Sequence, residues 1–431
     1  MKARDVFTPG SSPTVTFVSR HLEKRKEIFL DALDQGGILV NISGPSKSGK
    51  TVFVRNLLGA ANMLPITGAG AATPADLWER VFHQIGTEIP AQRHQQTSTD
   101  LALEASLKAS GSLLVAKAEG TGTITGTFGE SCASSFQKVT DHLQLLISEL
   151  AGTDFVVFID DFHYIPRDVQ RAVAAEIKEA IANGVRIVCA SVPHHSEDVL
   201  RANPDLRGRV VTIDFDYWEP GALSEIADKG FAELNVHTHQ AAIRRLALEA
   251  AGSPQLMQSI CLNACYEAGI RDRSETPVEL PSNNNFIQDV CVRAALGADY
   301  SSTLERMNEG PKVRGSERAH YRLKGGDVGD VYTIILRSLS LDPPLLHFRY
   351  AELQDRIRKV CEDQYPPGSS VTGACAQIAV LASGGLDRMI VEWDATEDAL
   401  SIRDPYLLFF LRWSGMLNDV GDELLRQRRL S

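Results

Sequence analysis

The first half of the chain alternates between short apolar runs and longer segments with apolar residues at helical spacing. The apolar runs cover residues 38–42, 63–67, 155–161, 186–191 and 210–213. Short apolar runs bounded by turn residues are typical of buried strands, and the segments between them have the period of amphipathic helices. Strands that alternate with helices predict a parallel sheet with helices on both faces. We therefore predict an α/β, three-layer core in which ligands lie beyond the carboxyl ends of the strands.

Amphipathic segments predict helices at residues 73–85, 135–150 and 167–182. Thr73 suits the N-cap of the first helix, and Pro74 suits its first turn, where a missing amide hydrogen leaves nothing unpaired. Residues 91–134 depart from this pattern, because they are rich in glycine, threonine and small side chains. This segment predicts either a surface insertion or a hairpin whose exposed edge pairs with another chain.

The pattern becomes purely helical after residue 216 and changes again near residue 327. Residues 216–282 predict a helical lid, interrupted at GSP (252–254), since glycine ends helices and proline begins them. We assign 1–215 to the core, with its insertion at 91–134, and 283–326 to a linker that includes a helix. Residues 327–431 predict three helices, a hairpin with alternating apolar residues, and a short basic tail. This order resembles a winged-helix domain.

Composition limits the classes of function. The chain has 431 residues and a formal net charge of −11, whereas proteins that act on nucleic acid usually show a basic footprint. No apolar run reaches the roughly 18 residues of a membrane-spanning helix, and no secretory signal begins the sequence. The seven cysteines include no CxxC pair, which is typical of free thiols in a reducing compartment. We therefore expect a cytoplasmic protein without a membrane partner, for which nucleic acid is the less favoured partner.

The segment GPSKSGKT (44–51) matches the phosphate-binding pattern G-x-x-x-x-G-K-T. It follows a predicted strand and opens a predicted helix, which is the context that the motif requires. Its backbone N–H groups and the helix N-terminus would face phosphate oxygens, while Lys50 reaches the β- and γ-phosphates. The alternative is a glycine-rich turn that matches by chance. We expect ATP to contact Gly44, Pro45, Ser46, Lys47, Ser48, Gly49, Lys50, Thr51 and Val52.

A second motif, FVVFIDD (155–161), ends a predicted strand in two aspartates. A phosphate loop holds a nucleotide but needs further oxygen ligands to place Mg²⁺. We expect Asp160, together with the Thr51 hydroxyl, to hold the hydrated Mg²⁺, and Asp161 to orient or polarise the attacking water. The alternative is a buried strand that ends in two turn-forming residues.

Three further residues are candidates for contact with the γ-phosphate. Ser191 ends the 186–191 strand and would lie beside the phosphate loop, although an ordinary strand end would look the same. Arg207 and Arg209 precede the last strand. An arginine there can point at the nucleotide of a neighbouring subunit, as an arginine finger does. The alternative is a solvated charged loop.

Taken together, these motifs resemble the AAA+ and STAND group of P-loop ATPases, near the Orc/Cdc6-like and archaeal-type branch, over roughly residues 17–265. Residues 17–33 are similar to the box that precedes the group's first strand, GPSKSGKT to its Walker A motif and FVVFIDD to its Walker B motif. The resemblance implies that Pro254, at the GxP position of STAND proteins, lies near the adenine, and that ATP and Mg²⁺ are the cofactors.

The chain also departs from the AAA+ pattern. Asp161 stands where AAA+ members usually have glutamate, and Gln255 stands where many have an arginine. A shorter carboxylate holds water less effectively, so slow hydrolysis is expected. The segment after residue 67 lacks the aromatic residue of a threading loop, which counts against an unfoldase.

Three functions remain open from the sequence. The first is an ATP-driven switch that self-associates and controls a protein effector, which the resemblance places in bacterial defence or signalling. The second is a DNA-binding loader of the Cdc6 type. The predicted third helix of the C-terminal domain has no lysine or arginine, and its hairpin is acidic, which weakens this alternative. The third is a scaffold that binds ATP structurally and scarcely hydrolyses it.

Overall fold

The computed structural model describes residues 1–87, 141–192, 198–312, 318–384 and 389–417. The predicted insertion at 91–134 and the basic tail lie outside these residues. The described part comprises a parallel-sheet core, a helical lid and a C-terminal winged-helix domain, as the sequence predicts.

A five-stranded parallel sheet forms the centre of the core, in the order β2-β3-β4-β1-β5. Apolar side chains make up most of each strand, and every residue of β1 is buried. β1 lies between β4 and β5, so the strand that leads into the phosphate loop is covered on both edges. The strands are β1 (Leu39–Ser43), β2 (Met63–Thr67), β3 (Val156–Asp160), β4 (Arg186–Ser191) and β5 (Val210–Asp214).

Helices cover both faces of this sheet and make the third layer. One face packs on a cluster that includes Phe29 and Phe53, and the other on a cluster that includes Trp78, Leu146 and Ile177. The helices of this half of the chain are α1 (Ala3–Val6), α2 (Glu23–Gln35), α3 (Lys50–Leu58), α4 (Pro74–Ile85), α5 (His142–Leu150), α6 (Arg167–Ala182) and α7 (Asp198–Ala202), with short 3-10 turns at Arg20–Leu22, Phe162–Tyr164 and Pro204–Leu206.

The predicted start of α4 is confirmed. The Thr73 side chain accepts a hydrogen bond from the Asp76 amide, and the Asp76 carboxylate accepts one from the Thr73 amide at 2.8 Å. These reciprocal bonds form a capping box and satisfy two amides that the helix leaves unpaired. Pro74 occupies the first turn.

The lid is a helical unit with its own core. Its helices are α8 (Pro220–Glu233), α9 (Gln240–Glu249), α10 (Pro254–Glu267) and α11 (Asn284–Ala295), with a two-stranded parallel sheet of β6 (Val236–His237) and β7 (Val278–Glu279). Ala3, Val6 and Phe7 are buried in the same cluster as the lid helices. The Ala3 amide also donates to the Arg271 carbonyl at 2.8 Å. The first residues, predicted as part of the 1–215 core, therefore pack with the lid.

The C-terminal domain has the three helices and the hairpin of a winged helix. The hairpin strands join a third strand in an antiparallel sheet of order β10-β12-β11. The elements are α12 (Ser301–Glu309), β8 (Tyr321–Arg322), β9 (Val328–Gly329), α13 (Val331–Leu339), β10 (His347–Arg349), α14 (Tyr350–Val360), α15 (Gly368–Ser383), β11 (Val391–Asp394), β12 (Ala399–Ile402) and α16 (Pro405–Trp413).

The segment 283–326, which the sequence assigns to a linker, holds two helices that belong to different units. α11 contributes Ile287 and Val290 to the core of the lid, whereas α12 contributes Leu304 and Met307 to the core of the C-terminal domain. The boundary between the two units therefore falls between these helices, near residue 298.

A buried ion pair fastens α16 to the lid. Arg412 donates to both carboxylate oxygens of Glu249 at 2.9 Å, and the indole N–H of Trp413 donates to the same carboxylate at 2.8 Å. The Glu249 side chain is fully buried and that of Arg412 is 5% exposed. Arg245, whose side chain is 41% exposed, also pairs with the Glu249 carboxylate at 3.2 Å. Because the Glu249 carboxylate and the Arg412 guanidinium are both shielded from water, removing one partner would leave a buried unpaired charge and lower the stability of the fold.

Two general expectations can be compared with the described residues. Within them, no helix is long and apolar enough to cross a membrane. The six described cysteines are free and buried, in agreement with the interpretation as core thiols.

We expect Arg412→Ala to lower the free energy of unfolding by about 3–5 kcal/mol, because the mutation leaves the buried Glu249 carboxylate without its main partner. The matched control is Arg245→Ala, which removes a partly exposed partner of the same carboxylate and should cost about 0–1 kcal/mol. Urea denaturation measures both values. Equal losses for the two variants would contradict the assignment.

Candidate functional site

The phosphate loop lies at the carboxyl edge of the sheet, where four strands bring polar residues together. In the register of the sheet, Ser43 at the end of β1 pairs with Ser191 at the end of β4. Thr67 pairs with Asp160 at the ends of β2 and β3. Since all strands run parallel, the loop, Ser191 and Asp160 share one edge. This is the position that the alternation of strands and helices predicts for a ligand site.

The loop backbone has the conformation of an anion-binding nest. Lys47 and Gly49 have φ values of 65° and 95°, and Lys50 begins α3. Residues with alternating handedness turn successive N–H groups toward one side, where the helix N-terminus adds partial positive charge. At Gly44 a Cβ atom would lie 2.5 Å from the Phe215 side chain, so only glycine fits. The glycines of the motif predict that the backbone curls at this point of the sequence.

The Lys50 side chain curls back over the loop. Its Nζ donates to the carbonyl oxygens of Gly44 at 2.7 Å and of Pro45 at 2.9 Å. Burial lowers the pKa of this ammonium group to about 8, although the charges of Asp160 and Asp161 oppose the shift. A desolvated ammonium group attracts an anion strongly. Phosphate charges beside it would return its pKa toward the ordinary value.

Thr51 and Asp160, which the sequence predicts as metal ligands, lie together in the structure. The Thr51 hydroxyl donates to the Asp160 carboxylate at 2.8 Å, so both oxygens already lie together at the start of α3 and the end of β3. Oxygen ligands of this kind suit Mg²⁺, which keeps several waters and takes few protein ligands. The residues present therefore fit a magnesium ion between loop and strand.

Asp161 is held in a turn by its backbone. Its φ is 55°, a left-handed conformation that aspartate tolerates better than most residues. A Cβ at Gly68 would lie 2.7 Å from the Asp161 carbonyl oxygen, so the segment after β2 packs directly against this turn. Asp160 and Asp161 both line the cavity that contains Lys50. A molecule in that cavity would therefore lie beside Asp161.

A cavity of about 550 Å³ lies above the phosphate loop. The volume is in the range of ligand-binding pockets. Its lining includes the loop and the start of α3, with Ser46 and Val52; the aspartates Asp160 and Asp161; the lid, with Pro254 and Gln255; and residues between Thr8 and Val18. A molecule that spans this cavity would contact the core and the lid at once.

Two buried hydroxyl groups beside the loop have no hydrogen-bond partner among the described residues. These are the side chains of Ser48, in the loop, and of Ser191, at the end of β4. Buried polar groups are nearly always paired, so unpaired hydroxyls at this position indicate a polar ligand or water. Ser191 does not line the cavity itself; its carbonyl instead accepts from the Gly44 amide at 3.2 Å. A direct contact of Ser191 with the γ-phosphate stays a prediction.

The lid reaches the loop through the GSP turn and Trp218. Gly252 has a φ of 79°, and a Cβ there would lie 2.5 Å from Tyr217. Ser253 caps α10, and Pro254 occupies its first turn. The Trp218 indole N–H donates to the Ser48 carbonyl at 3.0 Å, which joins the segment after β5 to the phosphate loop.

Arg207 and Arg209 lie away from the chain's own site. The Arg209 carbonyl accepts from the Leu39 amide, at the amino end of β1, whereas the phosphate loop follows its carboxyl end. Four residue steps along a strand separate these ends by about 13 Å. Both arginine side chains are exposed. They therefore lie outside this chain's own site, and their action on a nucleotide held by another subunit stays a prediction beside the alternative of a solvated charged loop.

Sequence reasoning missed three contributors to the site. The N-terminal segment covers the cavity, Trp218 binds the loop carbonyl, and Asp404 lies 3.1 Å from the Lys47 ammonium through both carboxylate oxygens. Trp218 follows β5 at the same edge as the loop, and that placement was a usable signal. The other two come from the ends of the described chain, and no local pattern links them to the loop.

Comparison with solved structures finds distant similarity to P-loop ATPases. Cdc6p from Pyrobaculum aerophilum is 14% identical, over 98% of this chain and 99% of its own, with a TM-score of 0.44. A Walker-type ATPase of Pyrococcus abyssi is 14% identical over 90% and 95%, with a TM-score of 0.47. The ORC2 protein of Aeropyrum pernix, solved in ADPNP–ADP complexes, is 13% identical over 99% of both chains, with a TM-score of 0.46.

Two of these structures are of a Cdc6 and an ORC protein, the group that the motifs of this chain resemble. No protein-family model and no curated protein matches the chain.

We expect ATP binding to take up protons above pH 8. About nine tenths of the Lys50 side chains are neutral at pH 9 if their pKa is about 8, and phosphate charges raise that pKa on binding. ATP affinity should therefore fall as the pH rises above about 8. Calorimetry in buffers of different ionisation enthalpy measures the uptake at pH 7 and pH 9.

The matched control for this measurement is Lys50→Arg. A guanidinium group stays charged over the whole range, so this variant should bind without the uptake. Equal proton uptake by both proteins would contradict the role of Lys50.

Proposed function

We propose that the chain binds ATP with Mg²⁺ between its core and its lid, hydrolyses it slowly, and acts as a nucleotide-dependent switch that self-associates. The observation that carries this proposal is the convergence of Lys50, the Thr51–Asp160 pair and Asp161 on one cavity at the carboxyl edge of the sheet. Chance matches to the separate motifs would not place all of them around one space.

Each group has a definite task in this proposal. The backbone N–H groups of the loop and the Lys50 ammonium bind the β- and γ-phosphates and neutralise charge as it develops. Thr51 and Asp160 hold the metal. A bound Mg²⁺ would supply positive charge to offset the negative charge of the phosphates.

Asp161 is the group of this chain best placed to accept a proton from the attacking water. It follows the metal ligand directly and lines the same cavity. Its side chain is one methylene shorter than glutamate, so it reaches less far from the strand end. Slow hydrolysis is the expected consequence, and the bound nucleotide would then persist long enough to act as a signal.

The switch follows from where the cavity lies. Core residues line the cavity beside the phosphate loop, and the lid and the N-terminal segment line the rest of it. A ligand can favour the closed arrangement only by contacting it better than the open one. ATP and ADP differ at the γ-phosphate, which Lys50, Asp161 and an arginine from another subunit would contact. We therefore propose that ATP favours an assembled state and that hydrolysis releases it.

The winged-helix domain favours a protein partner over DNA. α15, which occupies the position of a reading helix, has no lysine or arginine along Gly368–Ser383. Phosphate contacts need positive charge, and the preferred contact to guanine uses arginine or lysine. An effector protein in defence or signalling is the partner that we propose. A DNA loader predicts a steep loss of affinity for DNA with salt, and a scaffold predicts tight ATP retention without turnover.

We expect Asp161→Asn to lower the turnover of ATP by about 10²–10⁴-fold while leaving ATP affinity unchanged, because the amide cannot accept the proton. Asp214→Asn is the matched control: it is an exposed aspartate at the carboxyl end of β5, outside the cavity. Phosphate release measures turnover, and calorimetry measures affinity. Unaltered turnover in Asp161→Asn would remove this residue from the mechanism.

If an arginine finger acts across subunits, we expect two inactive variants to restore each other's activity when they are mixed. Lys50→Ala cannot hold nucleotide, and Arg209→Ala should lose about 10³-fold in turnover. A mixture should regain activity, since the intact Arg209 of one subunit then faces the intact nucleotide site of another. Turnover should also rise with protein concentration. If the mixture stays inactive with Arg209→Ala and with Arg207→Ala, neither arginine acts across subunits.

A further inference from the structure

The side chain of Lys47 connects the phosphate loop to the C-terminal domain. Its Nζ lies 3.1 Å from both carboxylate oxygens of Asp404 and 4.0 Å from the centre of the Tyr406 ring. Asp404 is the N-cap of α16, and 357 positions separate it from Lys47. The loop that would carry the phosphates is therefore tied by a bidentate ion pair to the far end of the described chain.

Asp404 is held in place by its own surroundings. Its side chain is 2% exposed, and it accepts hydrogen bonds from the Tyr300 hydroxyl at 2.5 Å and the Tyr406 amide at 3.1 Å. The preceding carbonyl, of Arg403, accepts from the Tyr217 hydroxyl at 3.0 Å. The other end of α16 is fixed to the lid through Arg412. The carboxylate is thus a rigid anchor for the ammonium of Lys47.

The backbone of Lys47 needs such an anchor. Its φ of 65° is a left-handed conformation that residues with a Cβ adopt at a cost. Glycine would adopt it freely, yet this position of the loop has lysine. The left-handed turn at this residue is also what directs the amides of the loop toward an anion. A side-chain contact that stabilises the turn therefore stabilises the nest.

We propose that Asp404 is a positioning residue of the nucleotide site, which holds Lys47 in its left-handed turn and so keeps the loop ready for the phosphates. The inference rests on the proposed ATP site and deepens it. It makes ATP affinity depend on the docking of the C-terminal domain, because the ion pair exists only while α16 lies against the loop. Lys47 acts here through its backbone, and its ammonium faces Asp404.

The test compares two substitutions of Lys47 that both remove the ammonium group. Lys47→Met keeps the cost of the left-handed turn but loses its anchor, so ATP affinity should fall about tenfold. Lys47→Gly removes both the anchor and the cost of the turn, so it should recover most of the affinity that Lys47→Met loses. Calorimetry with MgATP measures the affinities, and the melting temperature checks that each variant is folded.

Asp404→Asn completes the cycle. Asparagine keeps the helix cap but cannot form the ion pair, so this variant should also lose about tenfold in affinity. In the Lys47→Gly background the same substitution should add no loss. Glu392→Gln is the matched control, because it breaks the ion pair with Arg403 in the same segment without touching the loop. Its affinity for ATP should be unchanged.

The outcomes separate this inference from the proposed function. Equal losses in Lys47→Met and Lys47→Gly would mean that the ammonium itself binds phosphate, and would overturn the positioning role. Unchanged affinity in Asp404→Asn, or an equal loss in the Lys47→Gly background, would do the same. Failure of the original chain to bind MgATP would instead refute the proposed site, whatever the variants do.

Discussion

The parallel register of β1 with β4, and of β2 with β3, is the constraint on which the rest of the site depends. It sets Ser43 beside Ser191 and Thr67 beside Asp160, so that every polar strand end falls on one edge. A slip of one residue would turn each side chain to the opposite face of the sheet. The burial of β1 between two neighbours resists such a slip, because its apolar side chains on both faces would have to exchange environments.

Helix α16 adds a second constraint, since it contacts both halves of the site. Its first residues meet the phosphate loop through Asp404, and its last turn meets the lid through Arg412. Nine residues of helix span about 13 Å, which is short enough for the element to behave as a rigid strut. The phosphate loop and the lid are therefore joined through the C-terminal domain. A movement of the lid relative to the core would strain the Asp404 contact with the loop or the Arg412 contact with the lid.

The elements that define the core were predictable because they are local and periodic. The strands predicted at 63–67 and 186–191 coincide with β2 and β4, and the cap of α4 follows from Thr73 and its neighbours. The phosphate loop was predictable for the same reason, since its chemistry is contained in eight consecutive residues. The Lys47–Asp404 pair was not, because it joins residues 357 positions apart and Asp404 belongs to no motif. The packing of the first residues with the lid depends on tertiary contacts of the same long-range kind.

The N-terminal segment is hydrogen-bonded to the lid. The Gln258 side chain accepts from the Thr8 amide at 3.2 Å and donates to the Thr16 hydroxyl at 2.6 Å, and Gln255 donates to the Pro9 carbonyl at 2.8 Å. These bonds join the segment to α10, which also contributes Pro254 and Gln255 to the cavity. In the proposed switch a nucleotide would contact both the core and this wall, so its binding free energy would include the free energy of closure. ATP and ADP differ at the γ-phosphate, which Lys50 and Asp161 of the core would contact together with an arginine of another subunit, so the proposed distinction between the two nucleotides lies on the side of the cavity opposite the lid.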